Sequence, residues 1–318
     1  MSGEFDLIAR YFTVPAPEGM LGVGDDCALV PVAPGYQLAT STDLLIQGRH
    51  FLPDVSPVAL GHKALAVNLS DLAAMGARPL ACLLSLGLPN VDEAWLAGFS
   101  QGFLQLAQRA GCALVGGDTT RSDIIVINVT VFGQVAPAQA LRRSAALPGD
   151  VIWVTGSLGA PDIALELLQQ SPCSNPGMLA RLRPLLETPE PPVAMAPGLA
   201  GLAHAAIDIS DGLLQDLGHI LKASRCGAQL DFDALPMHPA LAALPETRAT
   251  QAMLCGGDVY QLCFTARADA TAAIHELAAR HGIDATPVGK VLETPGLQVL
   301  RHGQPLELPE RGGFDHFA

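Results

Sequence analysis

A chain of 318 residues, 49% hydrophobic and 15% charged, is long enough for two buried cores and too apolar to remain disordered. Its formal net charge is −13, with Lys63, Lys222 and Lys290 the only lysines among 18 basic residues, which argues against nucleic acid or an anionic membrane surface as the main partner. The seven cysteines form no C-x-x-C pair and read as reduced thiols. No stretch approaches the ~20 consecutive apolar residues of a membrane span, and Met1–Asp6 lacks the basic and apolar segments of a secretory signal, so a cytoplasmic location is expected.

Glu4–Phe12 reads as a short helix, ended near Pro15 and Pro17. Gly22–Val30 looks like a glycine-rich turn feeding a strand, with Asp25 and Asp26 in ordinary turn positions. Gln37–Ile46 reads as a strand whose apolar run is interrupted by Ser41-Thr42-Asp43, and His50 follows. Ser56-Pro57 is a helix start, cap followed by proline in the first turn. That helix carries the apolar stripe Leu65, Leu69, Leu72 and Met75, with Asp71 at its edge, and ends at Arg78-Pro79 before a strand over Leu80–Leu88. Asp92 caps a helix whose face Trp95, Phe99, Phe103, Leu106 reads as core. Cys112–Val115 is a strand running into Gly116-Gly117-Asp118, where glycines let a ligand approach the backbone.

Asp123–Val135 is β-branched strand, and Ala136–Gly149, with Arg142 and Arg143, reads as a linker with solvated charges. The expected domains are therefore 1–138 and 149–318. The second opens with a strand over Asp150–Thr155 and a helix to Gln170, followed by a proline-punctuated stretch to Pro197. A strand over Ala205–Ile209 leads through Asp208-Ile-Ser-Asp-Gly212 into a helix over Leu213–Ser224. Asp231 and Asp233 fall in a strand, and Cys255-Gly-Gly-Asp258 leads into a strand over Leu262–Thr265. A helix over Asp269–His281, a strand over Thr286–Leu292 and a hairpin complete the chain. Strands and helices alternating in both halves predict two α/β domains.

Asp26, Asp43, Asp71, Asp118, Asp208 and Asp211 all lie within two residues of Gly, Ser or Thr, at expected strand ends or helix starts. A single such aspartate is ordinary capping chemistry. If the six converge, they cannot all stay ionised without compensation, and three lysines do not supply it. Hard divalent cations are the natural partners, and Mg²⁺ takes one or two carboxylates while leaving positions for water and phosphate oxygens. The chain has no G-x-x-x-x-G-K-[ST] loop, protein-kinase signature, paired-histidine zinc motif or G-x-S-x-G elbow.

Gly-Asp-Asp-Cys-Ala (24–28), Ser-Thr-Asp (41–43), Asn-Leu-Ser-Asp-Leu-Ala-Ala-Met-Gly-Ala (68–77), Gly-Gly-Asp-Thr-Thr-Arg (116–121), Asp-Ile-Ser-Asp-Gly-Leu (208–213) and the closing Asp-His-Phe together resemble the bacterial thiamine-monophosphate kinase family, over essentially the whole chain. That family belongs to the aminoimidazole-ribonucleotide synthetase-like enzymes. The resemblance implies an α/β (α+β) fold of two domains, whose N-terminal mixed sheet pairs with its copy in a homodimer. It implies a transferase of thiamine biosynthesis that uses ATP and Mg²⁺ to convert thiamine monophosphate to thiamine diphosphate. It carries metal-binding roles onto Asp26, Thr42, Asp43, Asp71, Asp208 and Asp211, with Ser41 adding a backbone or hydroxyl oxygen. Nucleotide contacts fall on Gly117, Asp118, Arg143 and Ser210, with Arg143 preferred to Arg142 because it precedes Ser144. Substrate-side roles fall on His50, Asp258 and Phe314, whose ring offers a stacking surface for a cationic aromatic; read by itself, His50 is an ordinary structural histidine.

One segment departs from the family pattern. Gly-Gly-Glu-Asp-Tyr-Glu-Leu is replaced by Gly-Gly-Asp-Val-Tyr-Gln-Leu at 256–262, so the substrate-binding glutamate becomes Asp258 and two further acids become Val259 and Gln261. An acceptor phosphate is already largely ionised near neutrality, with a second pKa of about 6. The expected mechanism is therefore direct in-line transfer by positioning and charge neutralisation, without a catalytic general base. Two alternatives stay open: a related enzyme acting on another small molecule, and a nucleotide-binding protein without turnover.

Overall fold

The computed structural model describes residues 4–24, 26–309 and 312–314. Asp25 and the closing Asp315-His316-Phe317 lie outside the described residues. Residues 1–72 with 77–138 make one compact unit, and 73–76 with 139–318 make a second.

In the first unit, α1 (Glu4–Leu7) continues as a π-helical turn over Ile8–Phe12, followed by β1 (Gln37–Ile46), α2 (Pro57–Ala74), β2 (Arg78–Leu88), α3 (Glu93–Ala110), β3 (Ala113–Arg121) and β4 (Val126–Val135). The sheet order is β1-β4-β2-β3, antiparallel except for the parallel β2–β3 pair. Along β4, buried Ile127, Val129 and Val131 alternate with half-buried Asn128, Thr130 and Phe132, so one face is core and the other open. Leu65, Leu69 and Leu72 of α2 are at most 1% exposed, and in α3 Trp95 stacks on Phe99 at 4.9 Å. Met75 lies beyond the end of α2 and is exposed, so it leaves the predicted stripe.

Three expectations change. Among the described residues, 22–30 form no strand, and Leu21 and Leu29 pair as an isolated bridge. Strand β2 begins at Arg78, before Pro79, and a register shift between Pro79 and Ala81 accommodates the missing N–H. Strand β3 runs through both glycines, because Leu84 of β2 pairs with Gly117. A Cβ at Gly117 would meet the Leu84 carbonyl oxygen at 1.7 Å, so only glycine lets the strands close.

The second unit contains β5 (Val151–Thr155), α4 (Ala160–Gln169), α5 (Pro176–Glu187), β6 (Ala203–Asp208), α6 (Leu213–Ser224), β7 (Gly227–Asp231), α7 (Glu246–Cys255), β8 (Leu262–Ala266), α8 (Thr271–Arg280), β9 (Ala285–Leu292), β10 (Gly296–Arg301) and β11 (Gln304–Pro305). Its seven strands run in the order β11-β10-β7-β9-β5-β8-β6, with β7–β10 parallel and the other pairs antiparallel. Central β5 and β8 are almost wholly buried, and Trp153 stacks on Phe264 at 6.0 Å. Asp231 ends β7 and Asp233 falls in the 3-10 turn after it, where the Asp231 side chain accepts the Asp233 N–H. The predicted linker is ordered as 3-10 turns at Pro137–Gln139 and Arg143–Ala145, with Leu141 buried. Among the described residues, no helix is long and apolar enough to cross a membrane.

Candidate active site

In the first unit, strand periodicity decides which polar groups meet. Ser41 and Asp43 share one face of β1, against α2, and Thr42 points to the other. The Ser41 hydroxyl donates to Asp71 Oδ2 at 2.5 Å. The Asp43 N–H donates to Asn68 Oδ1 at 3.0 Å, and Asn68 in turn donates to the Ala64 carbonyl one turn earlier in α2. Burial, and secondly the Asp71 charge, push the Asp43 carboxyl up to about 6. A carboxylate pair in that condition is stabilised by any cation that reaches it.

Thr42 Oγ1 instead lies 3.0 Å from Thr130 Oγ1 and accepts from Asn128 Nδ2, which also donates to the Asp43 carbonyl. Asp26 is exposed in a bend. With Gly117 and Asp118 of β3 it lines a cavity of about 1030 Å³ that also meets Ser85 and Thr130. Among the described residues, that lining includes neither Asp43 nor Asp71. Asp43 and Asp71 thus meet between β1 and α2, and Asp26 and Asp118 share the lining of that cavity. His50 is half-buried, and its Nδ1 accepts the Ile46 N–H at 3.0 Å, which leaves Nε2 as the proton-bearing nitrogen of the neutral ring.

In the second unit, Asp208 is the buried last residue of β6, and the turn after it is held from every side. The backbone N–H groups of Ser210, Asp211 and Gly212 all donate to Asp216 Oδ2, at 3.0, 3.1 and 3.0 Å. The Ser210 carbonyl accepts from the Asp258 N–H, and the Ile209 carbonyl from the Tyr260 N–H. Asp258 and Tyr260 both take left-handed backbone conformations, φ 58° and 52°, unusual for side chains of that size. The Tyr260 hydroxyl donates to Asp258 Oδ1 at 3.0 Å. Burial pushes the Asp216 carboxyl up to about 6, although its three N–H donors pull the other way. Arg143 is exposed in its 3-10 turn, where its carbonyl accepts from Ser224 Oγ at 2.7 Å. Phe314 is 53% exposed and its N–H donates to the Asp211 carbonyl.

Asn68, Asn128, Gln215, Asp216 and Tyr260 were not singled out by the sequence. For Asp216 a signal existed: it is a carboxylate amid the buried stripe Leu213, Leu217, Ile220 of α6, the same anomaly that marks Asp71. Among the described residues, no group of three or more His, Cys, Asp or Glu side chains is placed to hold a metal ion. The donor set nonetheless fits Mg²⁺, which needs only one or two carboxylates when phosphate and water supply the rest.

Two units, each a mixed sheet with helices, carry paired or closely spaced carboxylates, and the family models that match them define the class. Residues 24–135 match the family described as AIR synthase related protein, N-terminal domain, and 148–302 match its C-terminal domain. The chain is 41% identical to the thiamine-monophosphate kinase of Haemophilus influenzae over 99% of its own length and 98% of the relative's. It is 43% identical to that of Escherichia coli K12 with the same coverage. The crystal structure of the Stenotrophomonas maltophilia thiamine-monophosphate kinase superposes with a TM-score of 0.84 at 43% identity, covering 91% of this chain and 93% of that one. AaThiL complexed with AMPPCP and TMP superposes with a TM-score of 0.78 at 29% identity, covering 91% and 90%. The chain belongs to the thiamine-monophosphate kinase family.

Proposed function

We infer that this protein is an ATP-dependent kinase that phosphorylates thiamine monophosphate to thiamine diphosphate. The observation that carries this reading is the relationship to thiamine-monophosphate kinases at 41–44% identity over nearly the full length of both partners. The complex of AaThiL, 29% identical, with AMPPCP and TMP supports the same pair of substrates.

The metal reading rests on this chain's own carboxylates. Asp43 and Asp71, with the Ser41 hydroxyl, form one Mg²⁺-binding set; Asp208 and Asp211 form another, and Asp26 a further position. The Thr42 side chain faces away from the Asp43–Asp71 pair, so its role as a ligand is reserved for its backbone carbonyl. When bound, Mg²⁺ would neutralise phosphate charge alongside the Arg143 guanidinium. Gly117, Asp118, Ser210 and Arg143 contact nucleotide. The Nε2–H of His50 donates to the acceptor, and the Asp258 carboxylate faces the thiamine cation.

The attacking atom is a phosphate oxygen of thiamine monophosphate, mostly ionised near pH 7. Transfer is direct and in line, so the side chains bind, align and exclude water, and none needs to take a proton. The N- and C-terminal domains are taken as 1–138 and 149–318. The open face of the N-terminal sheet, with Leu38 half exposed and Phe132 half-buried, supports pairing with a second copy. Seven free cysteines support a cytoplasmic setting.

The test is ADP release from ATP and Mg²⁺ with and without thiamine monophosphate. Acceptor-dependent turnover abolished by Asp71→Ala is expected; Mg²⁺-dependent ATP binding without such turnover would move the assignment to another acceptor. A labelled protein trapped after brief exposure to labelled ATP alone would overturn direct transfer.

A further inference from the structure

We propose that Gln215 is a positioning residue that ties the acceptor-side segment carrying Phe314 to the Asp211 carboxylate, so that ring and carboxylate are set together. The inference rests on the reading of Asp211 as a metal position and Phe314 as a substrate-side position.

Gln215 lies in the first turn of α6 and is half-buried. Its Nε2 donates to Asp211 Oδ2 at 3.1 Å and to the Phe314 carbonyl at 2.9 Å. A carboxylate oxygen and a peptide carbonyl only accept, so the amide must present its nitrogen to both, and its orientation is settled by chemistry. The Phe314 N–H donates to the Asp211 carbonyl at 3.0 Å. Both backbone polar groups of Phe314 are therefore held, one by Asp211 and the other by Gln215. A Cβ at Gly313 would stand 2.6 Å from the Asp211 carbonyl oxygen and 2.8 Å from the Gln215 side chain, so the segment docks closer than any side chain would permit.

This arrangement fixes the backbone of Phe314 while its ring stays 53% exposed, which is the disposition a stacking surface needs. One amide serves both neighbours. If the Asp211 carboxylate turns away, Gln215 loses its charged acceptor; if the segment lifts, the amide loses its second acceptor and Asp211 its carbonyl partner. Energetic coupling through such a shared group is reciprocal. A hydrogen bond to a charged group corresponds to about tenfold in an equilibrium constant.

The full chain is compared with Gln215→Leu, which keeps the bulk and removes the donors, and Gln215→Glu, which keeps the shape and turns an oxygen toward two acceptors. Hydrogen exchange at the Phe314 amide, measured without ligands, is expected to quicken about tenfold in Gln215→Leu and further in Gln215→Glu. The KM for thiamine monophosphate should rise about tenfold with kcat within about threefold, whereas a general loss of folded protein would lower kcat at constant KM. A space-filling role would instead leave Gln215→Glu closest to the parent chain. Unchanged Phe314 exchange in either variant overturns the proposal, as does a Gln215→Glu enzyme with the parental KM. If the parent chain shows no acceptor-dependent turnover, the functional reading fails, and the exchange experiment still decides whether Gln215 holds the segment. Should Gln215→Leu not fold, Gln215→Glu supplies the same comparison.

Discussion

Asp216 gathers three backbone N–H groups on one carboxylate oxygen, and its removal is the sharpest test of how the Asp208–Gly212 turn is built. It is 2% exposed and its Oδ2 accepts three N–H groups. Asp216→Ala strands all three donors. At roughly 1–3 kcal/mol for each unsatisfied group, discounted for loop relaxation and entry of water, the expected loss is about 3–6 kcal/mol. Asp216→Asn keeps an accepting oxygen and should cost about 1 kcal/mol at pH 7.

The pH dependence separates these effects further. The folded carboxyl sits at about 6, above its ordinary 3.8. Its stabilising contribution is therefore fully present below pH 3.8 and is lost as pH rises through 6. The difference of about two pH units corresponds to roughly 3 kcal/mol. Urea unfolding of the parent chain and of Asp216→Asn, followed by circular dichroism in the presence of a chelator from pH 4.5 to 7.5, should show the parent losing about 2 kcal/mol relative to the variant, the rest of the loss falling below pH 4.5. Other titrating groups cancel in the difference. A pH-independent difference, or an Asp216→Ala cost below about 1 kcal/mol, would refute the assignment of Asp216 as a buried anion holding the turn.

Other outcomes follow from the same geometry. Because Asp43 titrates at about 6, Mg²⁺ binding should release about half a proton at pH 6 and almost none at pH 8, measurable by calorimetry in buffers of different ionisation enthalpy. Proton release that is equal at both pH values would remove Asp43 from the metal set. Asp258→Asn should weaken thiamine monophosphate binding about tenfold and ATP binding much less; equal losses count against its substrate role. Tyr260→Phe, which deletes the hydroxyl donated to Asp258, should raise the KM for thiamine monophosphate severalfold with little change for ATP. Gly117→Ala, blocked by the Leu84 carbonyl at 1.7 Å, should cost more than about 3 kcal/mol in chemical denaturation of the first unit; a smaller cost would mean the strands can separate there.

Much of the fold was legible because periodicity and punctuation agree in this chain. The cap-and-proline start at Ser56-Pro57, the Asp92 cap and the helix over Leu213–Ser224 are local signals, and each lies where it was expected. Strand membership of Gly116–Asp118 was not legible, because glycines between a strand and a carboxylate look the same whether they turn the chain or admit a neighbouring strand. The face on which Thr42 lies follows from alternation once β1 is known to be continuous through Ser41-Thr42-Asp43. Which aspartates share a neighbourhood is a tertiary fact. Asp43 meets Asp71 only because β1 and α2 pack at that register, and no spacing in the sequence announces it. Asp216 and Gln215 act on backbone groups of a turn, and such partners leave no residue pattern to read.

The departure at 256–262 now has a physical account. Val259 is 6% exposed and belongs to the core cluster of the second unit, where an aspartate would lie in apolar surroundings. Gln261 accepts from the Thr155 hydroxyl at 2.8 Å through Oε1 and donates through Nε2 to the Glu190 carbonyl at 2.9 Å. Thr155 Oγ1 itself accepts the Leu262 N–H, so its proton is free to point at Gln261. A glutamate could take the first bond and not the second, because an ionised carboxylate has no proton to give a carbonyl. Both altered positions thus serve the packing of β5, β8 and the segment at Glu190. The carboxylate of Asp258 is held separately, by the Tyr260 hydroxyl and a left-handed backbone. Gln261→Glu should therefore lower the stability of the second unit by about 1–3 kcal/mol while leaving the KM for thiamine monophosphate within about twofold. A rise in KM without loss of stability would instead place Gln261 among the groups that read the substrate.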